Sequence, residues 1–167
     1  MSTDNALVTL LREGVSVQES AVDSKRDLED ALRSACNDFI EHTSQSLARD
    51  LFNLDEQCKV TGAAMVESAF MNGETVKLVF EKTLHSLETQ VSDVVDQMGL
   101  YLDNSVTQSI LLKPVSRKII RAVEDARKNL EKVAEGQNGW DTNTRIEVLG
   151  LMEQVDAAVK SAVKSTK

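Results

Sequence analysis

The side chains from which metal or acid–base chemistry is usually built are few in this sequence: His42, His85, Cys36 and Cys58, set among plentiful carboxylates. A di-iron helical bundle needs a Glu three residues ahead of its His, and here those places hold Phe39 and Lys82. Asp38 and His42 stand one helical turn apart, and Glu81 and Glu88 flank His85, which is the spacing of exposed ion pairs. The cysteines lack Cys-x-x-Cys spacing, so neither zinc nor redox cycling is supported. On one continuous helix they would lie about 33 Å apart, whereas a disulfide needs Cα atoms within roughly 7 Å. Free thiols in a reducing compartment are expected. No Gly-rich phosphate loop and no Gly-x-Ser-x-Gly elbow occurs. The carboxylates fall on polar helix faces with no pocket to separate their pKa values. The residues therefore predict no enzyme, no cofactor, no metal and no small-molecule substrate.

One charged pattern remains. Lys113, Arg117, Arg121, Lys128 and Lys132 line the polar side of one helical stretch, with Lys118 and Arg127 nearby and Glu124, Asp125 and Glu131 among them. Such a face is either a solvated surface laced with i,i+4 pairs or a surface for an acidic partner or anionic lipid headgroups.

The elements that must position this face are helices. Leu28, Leu32, Ala35, Phe39, Thr43, Leu47, Leu51, Leu54 and Cys58 step by threes and fours, predicting a helix over 24–59 after a short helical start at Ala6–Leu11 and a loop at Gly14. A shorter helix is expected over 60–71, broken near Gly62 and followed by a turn at Asn72-Gly73. Val76, Phe80, Leu84, Leu87, Val91, Val94, Met98 and Tyr101 recur at close to 3.5 residues, predicting a helix over 74–102 buried against the 24–59 and 115–133 segments. Ser105 and Gln108 fit a capping box for a helix over 105–134. Pro114 within it either opens a second helix or kinks a continuous one, and Val115, Ile119, Val123, Ala126, Leu130 and Val133 form its apolar stripe. A linker is expected near 136–143, then a last helix over 144–163 launched by Thr144 and Glu147, with Ile146, Leu149, Met152, Val155, Val159 and Val163 inward.

Composition agrees with this all-α reading: a single Pro, seven Gly and 4% aromatic residues suit long amphipathic helices in one elongated bundle over 1–167. The net charge of −8 is uneven. Met1–Asp103 holds 19 acidic and 8 basic residues, and 104–167 holds 8 acidic and 11 basic. An acidic majority speaks against a nucleic-acid binder, which needs a concentrated basic surface. The N-terminus has no basic n-region, and no stretch approaches 18 uninterrupted apolar residues. Any membrane role is therefore expected to be peripheral.

Two segments resemble a known family. One is Ala21-Val22-Asp23-Ser24-Lys25-Arg26-Asp27-Leu28, continuing through Leu32, Arg33, Ser34-Ala35-Cys36 and Phe39-Ile40. The other is Tyr101-Leu102, Thr107, Ile110-Leu111-Leu112-Lys113-Pro114-Val115 and Ile119. In the same order and at similar separation, both resemble the C-terminal region of the third subunit of the conserved oligomeric Golgi complex. The family usually has Phe where Leu112 stands, and the stretch after Gly136 is only loosely similar.

The resemblance implies a helical-rod fold of the tethering type, as the C-terminal part of a longer subunit. It implies a non-catalytic role in a multisubunit Golgi vesicle tether for retrograde intra-Golgi transport. It further implies peripheral association with the cytoplasmic face of the Golgi and a cytosolic pool. Implied partners are other subunits of the complex, SNAREs, small GTPases and coiled-coil tethers. Read without the resemblance, the residues also suit a generic helical adaptor that meets anionic membrane through the basic helix after Pro114.

Overall fold

The structure, a computed structural model, describes the backbone of residues 4–60, 72–134 and 140–164, and the side chains of 21–59, 72–132 and 140–164. The described elements are helices: α1 (Asp4–Val60), α2 (Gly73–Tyr101), α3 (Ser105–Ala134) and α4 (Thr142–Lys164). The helix expected over 60–71 and the linker at 136–139 fall outside the described residues. Gly14 does not end a helix: α1 runs through it, because one Gly costs a helix only about 1 kcal/mol. Pro114 likewise sits inside an unbroken α3, where it leaves the Ile110 carbonyl without its usual N–H donor.

The helix starts differ in detail from those expected. Asn72 caps α2, its Oδ1 accepting from the Glu74 and Thr75 N–H groups at 3.1 and 3.4 Å. Asn104, not Ser105, caps α3: its Oδ1 accepts from the Val106 N–H at 2.8 Å. Gln108 reaches back instead to donate to the Leu102 carbonyl at 2.6 Å. Helix α4 begins two residues before Thr144, and Arg145 N–H donates to the Asp141 carbonyl. In each case a short polar side chain or carbonyl outside the helix satisfies N–H groups that the first turn cannot.

The chain divides into two units, Met1–Phe39 and Ile40–Lys167. In the first, the described side chains form a helical stretch whose apolar residues face water: Val22, Leu28 and Leu32 are each about two-thirds exposed. Leu28, Leu32 and Ala35, which open the apolar stripe of this helix, are all exposed. From Thr43 onward, in the second unit, the same stripe is covered, and Leu47, Leu51, Leu54 and Cys58 are core residues.

The second unit is a helical bundle. Its core joins Leu47 and Leu51 of α1, Val76, Phe80 and Leu87 of α2, Ile119, Val123 and Leu130 of α3, and Val148, Met152, Val155 and Val159 of α4. Ser46 Oγ meets Gln90 Oε1 at 3.2 Å and Lys82 meets Asp50 at 3.8 Å, so α1 and α2 run antiparallel. Lys77 pairs with Glu147 at 2.6 Å near the starts of α2 and α4, which run parallel. Helix α4 packs chiefly on α2 and also on α3, whereas α2 and α3 touch little. The stripe of α2 therefore meets α4 as well as α1 and touches α3 little, where α1 and α3 were expected.

Two stripe ends are corrected. Tyr101 is 86% exposed and Ile146 is 63% exposed. Tyr101 is the last residue of α2, beyond the covered Met98, and Val148 takes the inward place on α4 that Ile146 was expected to fill. Two buried hydroxyls are satisfied within their own helices, Ser44 on the Ile40 carbonyl at 2.6 Å and Thr83 on the Val79 carbonyl at 2.8 Å. Helical geometry in α1 is interrupted at Ala48 (φ −141°, ψ 35°), one turn past Ser44, where hydroxyl back-bonding loosens a helix.

Candidate interaction surface

The core residues of α3 fix what its other side presents. Val115, Ile119, Ala122, Val123, Ala126 and Leu130 are at most 4% exposed. At 100° per residue they centre on the side of α3 opposite Lys113, Arg117, Arg121, Lys128 and Lys132, which share about 100° of arc. All five of those basic residues are exposed. Glu124 and Glu131 project within the same arc, and Lys128 meets Asp125 at 3.9 Å. Arg127 stands apart from the stripe, half-buried, with its Nε shielded from water and without a hydrogen-bond partner among the described residues.

The sequence did not reveal what lies beside the stripe. Helix α1 runs along α3, and between them is an open groove of about 410 Å³. Pro114, Arg117, Lys118, Arg121 and Ala122 form the α3 wall. Glu41, Gln45, Phe52, Asp55, Glu56 and Lys59 form the α1 wall. Lys118 donates to the Glu41 carboxylate across the groove, and this contact holds the Glu41 carboxyl below the usual range, first by the hydrogen bond and then by charge. Lys59 pairs with Asp55 within α1, and that hydrogen bond pushes the lysine up. No salt bridge among the described residues takes Arg117, Arg121 or Glu56. Of the five basic residues expected to form a surface, then, Arg117 and Arg121 line the groove, and Lys113, Lys128 and Lys132 lie on the outer face beside it. The acidic wall had no signal in the α3 sequence because it comes from a helix some 60 to 80 residues earlier.

Among the described residues no cluster of three or more His, Cys, Asp and Glu side chains could hold a metal ion. An apolar cleft lined by Leu87, Val91, Leu112, Val115 and Val159 has room for little more than one water, about 20 Å³. Among the described residues no helix is long and apolar enough to cross a membrane.

The fold and this surface define a class, an all-α helical bundle whose outward face offers a charged inter-helix groove. A sequence model of the COG3 C-terminal cap domain matches residues 53–135, from the end of α1 through α3. Conserved oligomeric Golgi complex subunit 3 of Homo sapiens is 27% identical over 133 residues, covering 71% of this chain and 16% of that protein. The Dictyostelium discoideum subunit is 25% identical over 142 residues, covering 79% and 15%. The Drosophila melanogaster subunit is 23% identical over 164 residues, covering 87% and 18%. No solved structure matches the chain. The chain belongs to the family of conserved oligomeric Golgi complex subunit 3, through that family's C-terminal region. It spans about a sixth of the length of these relatives.

Proposed function

We propose that the chain acts as the C-terminal region of a non-catalytic subunit of the conserved oligomeric Golgi complex, serving vesicle tethering in retrograde intra-Golgi transport through protein–protein contacts. The single helical region would be one part of a longer subunit, held peripherally at the cytoplasmic face of the Golgi and shared with the cytosol. Its partners would be other subunits of the complex together with SNAREs, small GTPases or coiled-coil tethers. The observation that carries this reading is the cap-domain match over 53–135, which takes in most of the bundle, including the whole of α2 and α3.

The face bearing Lys113, Arg117, Arg121, Lys128 and Lys132 is the surface we propose for a partner. The alternative, an adaptor reading anionic lipid with that face, is disfavoured by the acids interleaved in it and by the acidic α1 wall beside it. Deleting the region in its own cells tests the proposal. Resident Golgi glycosylation enzymes should leave the Golgi for scattered vesicles and be degraded faster. Unchanged enzyme residence and normal glycan processing would contradict it.

A further inference from the structure

We infer that the groove between α1 and α3 receives one amphipathic helix of a partner protein, with acidic residues on its α3-facing flank and a basic residue on its α1-facing flank. This rests on the protein-contact reading above and adds where the contact is made and what chemistry it reads.

The charges along the groove are not a uniform field. Its lining holds the basic Lys59, Arg117, Lys118 and Arg121 and the acidic Glu41, Asp55 and Glu56. Two internal pairs, Lys118 with Glu41 and Lys59 with Asp55, use up four of the seven. Two guanidinium groups one helical turn apart on the α3 wall and one carboxylate on the α1 wall are left over. Arg offers a planar fork of donors matched to carboxylates. Arg117 and Arg121, at i and i+4, suit two carboxylates spaced by one turn on a facing helix. Glu56 suits a Lys or Arg on that helix's opposite flank. Phe52 on the α1 wall and Pro114 on the α3 wall, both half-buried, add apolar surface to the lining, as a helix-binding groove requires. The α1 wall runs from Glu41 to Lys59 across the interruption at Ala48, so most of it, from Phe52 to Lys59, lies on the helical stretch after that bend.

Charge placement also separates this occupant from an anionic bilayer. A lipid surface averages over charges within about a Debye length, roughly 8 Å at physiological salt. Over that distance the acids on the α1 wall and Glu124, Asp125 and Glu131 of α3 offset most of the basic stripe. A helix places its own charges at fixed points, so it meets the two arginines and Glu56 separately.

The test uses the full chain and a synthetic 18-residue helical peptide. The peptide has a Leu seam at three- and four-residue spacing, a Glu pair one turn apart on one flank and a Lys on the other. A second peptide has the flanking charges exchanged. Fluorescence anisotropy should show the Glu-flanked peptide binding in preference to its counterpart. Arg117→Gln/Arg121→Gln should weaken that binding at least about tenfold, or about 1.4 kcal/mol, with an unchanged helical circular dichroism signal. Arg117→Glu/Arg121→Glu should reverse the preference between the two peptides. No binding, equal binding of the two peptides, or affinity indifferent to the glutamine variant would overturn the inference. So would flotation with phosphatidylcholine–phosphatidylserine vesicles lost in the glutamine variant while peptide binding persists. Because this is a binding measurement on the chain alone, its failure leaves the Golgi-enzyme experiment to be decided separately.

Discussion

The Lys118 ammonium donates to the Glu41 carboxylate across the seam between α3 and α1, although 77 residues separate the two in sequence. The pair closes one part of the groove and leaves Arg117 and Arg121, on the same wall as Lys118, free of internal carboxylates. Its size follows from its exposure. The side chains are 44% and 57% exposed, so solvent screening limits the pair to about 0.2–1 kcal/mol.

That pair has a predictable pH dependence. Lys118 lowers the Glu41 carboxyl pKa. A group whose folded pKa is depressed stabilises the fold above its unfolded value and loses that contribution as the pH falls through the folded value. Urea titrations of the native chain and Lys118→Met should therefore differ at pH 7 and converge in acid, below the lowered Glu41 value. A gap that persists in acid would show that Lys118 acts through packing of its stem.

The two halves of the α1 stripe should respond differently to truncation. Leu51 and Phe80 are fully buried, so Leu51→Ala should cost about 2–5 kcal/mol and Phe80→Ala about 3–5 kcal/mol. Leu28 is 70% exposed, and Leu28→Ala should stay within about 0.5 kcal/mol. Equal losses at Leu28 and Leu51 in denaturant titrations would contradict the burial described for this stripe.

Gly73 marks a close approach between the starts of α2 and α4. A Cβ built there would lie 2.8 Å from Thr144 Cγ2 and 3.2 Å from the Trp140 ring. Thr144 is β-branched and stiff at χ1, so it yields poorly. Gly73→Val should destabilise by about 1–3 kcal/mol through overpacking. Thermal unfolding at or above the native midpoint would show that the two helix starts are further apart.

The cysteines should differ in reactivity. Both are free thiols, Cys36 half-buried and Cys58 buried. Burial pushes the Cys58 thiol up, and the charge of Asp55 adds to the effect. Less thiolate forms at a given pH, and the thiolate is the reactive species. Mass spectrometry of maleimide-treated protein should find Cys36 modified first and Cys58 only on unfolding. The opposite order would contradict the placement of Cys58 in the core.

Periodicity made much of this fold legible. The stripe of α3 placed that helix at its observed bounds and named its buried side from Val115 to Leu130. Periodicity reports which residues share a face but not whether anything covers it. For that reason Leu28 and Leu32 look like Leu47 and Leu51 in sequence, yet only the latter pair is buried. The same limit explains Tyr101, which keeps the spacing of α2 but lies at the helix end, past the last covered position. Ile146 and Val148 compete for one face of α4, and the choice depends on how α4 sits against α2, which no local pattern encodes. The basic stripe was readable because Lys113, Arg117 and Arg121 lie on one helix. The groove was not, since Glu41, Phe52 and Glu56 reach it only through tertiary packing.

The proposed role and the proposed surface meet in one complementation experiment. Cells lacking the protein would receive either the native form or Arg117→Gln/Arg121→Gln at equal abundance, and the half-lives of resident Golgi enzymes would be measured. The native form should restore those half-lives, while the variant, folded and present at the same level, should fall well short. Full restoration by the variant would contradict the role assigned to the α1–α3 groove, and failure of the native form to restore them would contradict the Golgi function itself.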